Sequence, residues 1–118
     1  MSEHPTAIPQ ETLLHIAERR HWESAKASGE SYAMSTLGRT LADEGFIHCS
    51  ADQAQAEGVL ANFYTAIDRA DLVLLIIDPA RLGCEVRYEP ADGQLFPHIY
   101  GPIPLPAVID VRSVAETR

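Results

Sequence analysis

Apolar side chains recur along the chain in short blocks, and the change of period from block to block marks the elements. Residues 12–17, "TLLHIA", predict a first strand, with the start of a helix as the alternative reading. As a strand, it puts His15 on one face with Leu13 and Ala17. Residues 20–27, "RHWESAKA", are rich in helix formers and end at Gly29, a helix with its stop signal. Ser35 and Thr36 stand like an N-cap before a second helix, which would carry Leu37, Leu41 and Ala42 and stop before Gly45. Residues 46–49 read as a second strand, in which period two sends Phe46 and His48 to one side and Ile47 and Cys49 to the other. Ser50 opens an S-x-x-Q capping box that ends at Gln53. Beyond it, Val59, Leu60, Phe63, Tyr64 and Ile67 repeat at the spacing of one buried helix face.

The block at residues 71–78, "DLVLLIID", is apolar on both faces and predicts the central strand of a covered sheet. Residues 84–90 alternate, with Val86 and Tyr88 on one side and Glu85, Arg87 and Glu89 on the other, and Asp92-Gly93 signals a turn. Residues 96–106 hold four prolines, which predicts extended, irregular backbone and excludes a helix. Residues 107–111 close as a last strand. Early helices followed mostly by strands indicate an α+β fold, and not a parallel βαβ repeat. The length suits one domain spanning residues 1–118, with residues 1–10, His4 among them, expected to be flexible.

Composition narrows the function classes. The longest apolar run has the length of a strand and not of a membrane span, and the N-terminus lacks the blocks of a secretory signal, so a cytoplasmic location with no membrane partner is expected. Cys49 and Cys84 show no zinc-ribbon spacing, and a disulfide is not expected in a reducing compartment. The formal charge of −8, with basic residues scattered along the chain, argues against a broad nucleic-acid surface. It leaves room for a small phosphorylated ligand held by two or three local arginines.

Candidate chemistry centres on His15, His48 and His98, all in or beside predicted strands. A single strand histidine is more often a hydrogen-bonded structural residue than a catalyst. Three of them shift the balance, because each buried imidazole needs a partner for its N–H. A zinc site on the three histidines, with Cys49 as an alternative ligand, lacks any recognised spacing, and no metal is expected. A Cys49 nucleophile is opposed by its position on the Ile47 side, toward the core. Glu89, at a strand end, is placed to enter a cleft. Residues 96–101, "FPHIYG", read either as a ligand-lining loop or as a proline-containing edge strand.

The strings "HIA", "EGFIHCS" followed by Gln53, "LVLLIID", "VRYE" and "FPHIYG", with Trp22 after the first, resemble the bacterial family known as domain of unknown function 952 over about residues 13–111. That family is grouped with the ADP-ribosyltransferases. The resemblance implies a split, mostly antiparallel β-sheet with peripheral helices and a cleft for NAD, here the implied substrate, or for a related nucleotide. It assigns a dinucleotide contact to His15 and the place beside the nicotinamide ribose to His48, with Ser50 nearby. The third role falls to Glu89 or His98. Gln53, Tyr64, Tyr100, Arg39 and Trp22 are its further cofactor-binding candidates, Tyr64 or Tyr100 stacking on a ring and Arg39 or Arg19 meeting pyrophosphate. The Glu-x-Glu motif of toxin-type ADP-ribosyltransferases is not present. The expected function is binding of NAD or an ADP-ribose-type nucleotide in a cleft lined by His15, His48 and His98, which would allow ADP-ribosyl transfer or N-glycosidic cleavage; a non-enzymatic ligand-binding or protein-interaction module is the alternative, and a metal-dependent hydrolase the third. The oligomeric state stays open.

Overall fold

A computed structural model of the chain describes residues 11–114, so the N-terminal stretch expected to be flexible, His4 included, lies outside the described residues. Strand β1 (Leu13–Glu18) settles the choice between strand and helix at the first apolar block, and it leads directly into helix α1 (Arg19–Ser28). That helix stops at Gly29, whose φ of 75° is a left-handed conformation open to glycine at little cost.

The next segment corrects an expectation. Ser35 and Thr36 do not cap a helix but belong to strand β2 (Met34–Thr36), which pairs antiparallel with the two-residue strand β3 (Arg39–Thr40). Ser35 is fully buried and its hydroxyl donates to the Phe46 carbonyl, so a tertiary bond claims it. The cap is Thr40, which forms a reciprocal box with Asp43 at the start of helix α2 (Leu41–Glu44).

Strand β4 (Ile47–His48) is shorter than expected, yet its faces divide as period two requires. Ile47 and Cys49 join the core, while the Phe46 and His48 rings meet at 4.8 Å on the other side. Ser50 does not cap the helix that follows. Its backbone exchanges two hydrogen bonds with Leu14, at 2.7 and 2.8 Å, which satisfies both of its main-chain groups through strand pairing. Helix α3 (Gln53–Phe63) is capped by Asp52, whose carboxylate accepts the Gln55 N–H at 2.9 Å. It buries Ala56 and Leu60, and Tyr64 is buried just past its end. Phe63, expected on the same buried face, is 60% exposed.

Strand β5 (Leu72–Ile77) is buried on both faces, as its unbroken apolar sequence requires. Strands β6 (Val86–Ala91) and β7 (Gln94–Ile99) form a hairpin closed by Asp92 and Gly93, with φ values of 52° and 76°. β7 is a regular strand in spite of Pro97. The Pro97 carbonyl accepts the Cys49 N–H, so its nitrogen faces the same side, where β4 has ended, and the ladder to β6 loses no bond. Strand β8 (Val108–Ser113) comes last.

Two three-stranded sheets result, ordered β1-β5-β8 and β4-β7-β6, with β2 and β3 as a separate ribbon, and every strand pair among the described residues is antiparallel. The fold is α+β, mostly antiparallel, with three helices, as expected. The Leu14–Ser50 bridge joins the edge of the first sheet to the end of β4 in the second. Val73, Leu75 and Ile77 pack one face of β5 against Leu13, Ala17 and Ile47, while Leu72, Leu74 and Ile76 meet Leu14, Ile16 and α3 on the other. No helix among the described residues is long and apolar enough to cross a membrane.

Candidate functional site

A cleft of about 570 Å³ opens where the two sheets meet. Leu14 and Ile16 of β1 form its floor, and Val59, Phe63 and Tyr64 at the end of α3 form one wall. The remaining lining carries its polar groups, His48 from β4, His98 from β7, and Ser50, beside Phe46 and Phe96. Asp92, at the tip of the β6–β7 hairpin, stands at the rim.

His48 and His98 face each other across the β4–β7 ladder, and their ring centroids are 5.3 Å apart with the planes near perpendicular. Phe46 stacks on His98 at 4.1 Å and so fixes that ring's plane. A glutamate stands behind each imidazole. His98 donates Nδ1–H to Glu89 Oε1 at 2.6 Å, which leaves Nε2 as the ring nitrogen outside that bond. The same carboxylate oxygen accepts the Tyr100 hydroxyl at 2.6 Å. On the other side Glu44 Oε1 lies 3.4 Å from His48 Nε2, and Glu44 Oε2 accepts Arg39 Nε–H at 2.8 Å.

The titration behaviour follows from these contacts. The Tyr100 and His98 hydrogen bonds hold the Glu89 carboxyl below the usual range, and those from His48 and Arg39 do the same for Glu44. Burial pulls His48 below its ordinary value, against the opposing pull of Glu44, so its ring is neutral at pH 7. Donation to Glu89 raises Tyr100. Burial pushes the Cys49 thiol up, which leaves it no thiolate at neutral pH and supports its reading as a core residue.

The sequence candidates therefore separate into three groups. His48, His98, Ser50 and Tyr64 line the cleft. Glu89, Tyr100 and Arg39 form a layer behind the histidines, Glu89 and His98 acting as one unit where the resemblance offered them as alternatives. His15, Trp22 and Gln53 do not line it. His15 is buried on the far side of β1, donating Nδ1–H to the His48 carbonyl at 2.6 Å while its Nε2 accepts the Tyr32 hydroxyl at 2.9 Å. Alternation sends it with Leu13 and Ala17, away from the Leu14–Ile16 face that floors the cleft. Trp22 packs in the core 6.3 Å from Tyr32, and Gln53 is the first residue of α3.

Glu44 and Asp92 are site residues that sequence reading passed over. Glu44 stands four residues before His48, a spacing that shows itself only once α2 and β4 are known to be joined by the tight turn at Gly45. Asp92 carried a turn signal, which hid its carboxylate. Among the described residues, no three of the His, Cys, Asp and Glu side chains converge so as to hold a metal ion, which leaves the metal-dependent hydrolase without a ligand set there.

A family model described as protein of unknown function (DUF952) matches residues 16–111. The crystal structure of protein CC0527 from Caulobacter crescentus is 31% identical, with a TM-score of 0.69, over 85% of this chain and 82% of that one. The solution NMR structure of CC0527 is 29% identical, with a TM-score of 0.67, over 87% and 84%. No curated protein matches the chain.

Proposed function

This chain belongs to the DUF952 family, and we propose that it binds a nucleotide of the NAD or ADP-ribose type in the His48–His98 cleft, on a fold of the ADP-ribosyltransferase type. The observation that carries the reading is the pair of glutamate-backed imidazoles on the wall of a cleft of ligand size. Phe46, Phe96 and Tyr64 supply aromatic lining against which a heteroaromatic ring would pack, and neutral His48 a hydrogen-bonding group for its amide or ribose. Two antiparallel sheets bridged between their strands at Leu14–Ser50, with the cleft at the split, support the finer fold reading.

The same groups could hydrolyse the ribosyl–nicotinamide bond. Water would add to C1′ while the C1′–N bond breaks and its electron pair goes to the ring nitrogen. The cationic ring leaves as neutral nicotinamide, so no general acid is needed. The water proton needs an acceptor, and His98 Nε2 is one, its ring held by Glu89. Glu89 would then be a positioning residue acting through His98. One observation favours the non-enzymatic module instead: the Glu89 oxygen is taken by two protein donors, and the carboxylate does not line the cleft.

An NMR titration of the whole chain with NAD and with ADP-ribose tests the binding reading. Amide shifts are expected to cluster around residues 36, 48, 64 and 98 and to vanish in a folded His48→Ala variant. No shifts at millimolar ligand would sink it. Nicotinamide release from NAD, followed by chromatography in the same samples, separates the enzyme from the binding module.

A further inference from the structure

Four strands bound the two sheets, and the outer edges of three are interrupted. On β1, the Leu14 N–H and carbonyl are both taken by Ser50. β4 has two residues, too few to template another strand. On β6, the bond from the Cys49 N–H turns Pro97 toward β4, so its partner Tyr88, and with it Val86 and Pro90, turn their main-chain groups outward. Pro90 has no N–H to offer there, which blunts that edge.

The outer edge of β8 is different. Because Leu14 faces Ser50, alternation turns His15 and Ala17 toward β5, and their partners Leu75 and Val73 toward β1. Ile76 and Leu74 are then the residues of β5 that bond β8, through Asp110 and Arg112, and Val111, opposite Leu75, turns both main-chain groups outward. Among the described residues no strand pairs with it there. The Val111 N–H donates to the carboxylate of its own neighbour Asp110 at 2.9 Å, a contact that a strand partner can replace. Ile109, Asp110 and Val111 are exposed in succession, Ile109 to 44% and Val111 to 37%, as on an uncovered edge. The strand carries neither lysine nor proline to discourage pairing, and its register irregularity, between the partners of Ile76 and Ile77, leaves residues 110–113 regular.

The charges on this edge fit a second copy of the chain. Antiparallel pairing about a two-fold axis at Val111 lets the two Val111 residues exchange N–H and carbonyl bonds, and it sets Asp110 of each copy opposite the partner's Arg112. Those opposed residues form non-hydrogen-bonded pairs, in which side chains lie closest. Within one strand Arg112 Nε–H already donates to Asp110 Oδ2 at 3.0 Å, so the two copies would assemble a ring of charges alternating in sign. An extended peptide of arbitrary sequence would lack this acid and base at matching positions, whereas β8 itself supplies them. The formal charge of −8 on each chain repels a second copy at long range, and physiological salt screens that repulsion beyond about 8 Å while the opposed pairs act at contact. We propose that the chain self-associates through β8, two copies pairing antiparallel about Val111 so that their β1-β5-β8 sheets become continuous. No β8 residue lines the cleft, so the proposal is independent of the ligand reading.

Sedimentation of the whole chain across the micromolar range tests it, together with hydrogen exchange at the Val111 amide. A reversible monomer–dimer equilibrium is expected, with Val111 exchanging more slowly as the dimer fills. Val111→Pro removes an N–H that β5 does not use and is expected to give a monomer that is folded by circular dichroism. Asp110→Arg sets like charges opposite each other and is expected to weaken the dimer about tenfold. Adding Arg112→Asp restores opposite signs and is expected to recover the affinity to within about threefold of the wild type. A chain that stays monomeric throughout, or a dimer as tight in folded Val111→Pro and Asp110→Arg as in the wild type, would overturn the proposal.

Discussion

Burial holds the His15 imidazole neutral, its pKa lowered from 6.5 to about 4 despite the hydrogen bond to the His48 carbonyl. The unfolded chain takes up that proton below pH 6.5 and the folded chain only near pH 4, so His15 contributes stability above pH 6.5 that is lost as the pH falls through this window. The loss amounts to about 3 kcal/mol. Urea unfolding at pH 7, 5 and 4 is expected to show a steeper acid loss for the wild type than for His15→Leu, although the variant starts less stable. Parallel pH profiles would mean that His15 is not held neutral. A histidine in this position is legible from the sequence as one needing partners. Its role behind the cleft is not, because the face of β1 that becomes the floor depends on where α3 and β4 pack, and both are distant in the chain.

At the scale of elements, helix ends were where local pattern and structure parted. Ser50 and Gln53 satisfy the letter of a capping box, and Ser35 and Thr36 that of an N-cap. Asp52 and Thr40 carry the caps instead, since the serine backbones were claimed first by pairing and burial. Asp52→Ala is therefore expected to cost about 1 kcal/mol and Ser50→Ala less than half of that. Calorimetric unfolding of the two variants decides it, and a larger loss at Ser50 would return the cap to the serine. Elements with a strong and unambiguous period fared differently. β5 stands where six consecutive apolar residues require a strand covered on both sides, and α1 ends at its glycine.

At the scale of the whole molecule, the two sheets share a core and are bridged through their backbones at Leu14–Ser50. The paired bonds between Leu14 and Ser50 lie beside the cleft and between the two sheets. If the sheets open together, the amides of Leu14 and Ser50 are expected to exchange hydrogen as slowly as those of β5. Markedly faster exchange at the junction would show that the cleft opens there while the sheets stay intact. The α+β class, the central strand, and the division of His48 from Ile47 and Cys49 were already determined by the sequence alone, because periodicity and alternation are local properties of the backbone. Only the tertiary structure decided which histidines meet, which carboxylate stands behind each, and that His15 faces the core. Those relations join residues dozens of positions apart, and they depend on sheet pairing and on competition for burial, neither of which any local pattern records.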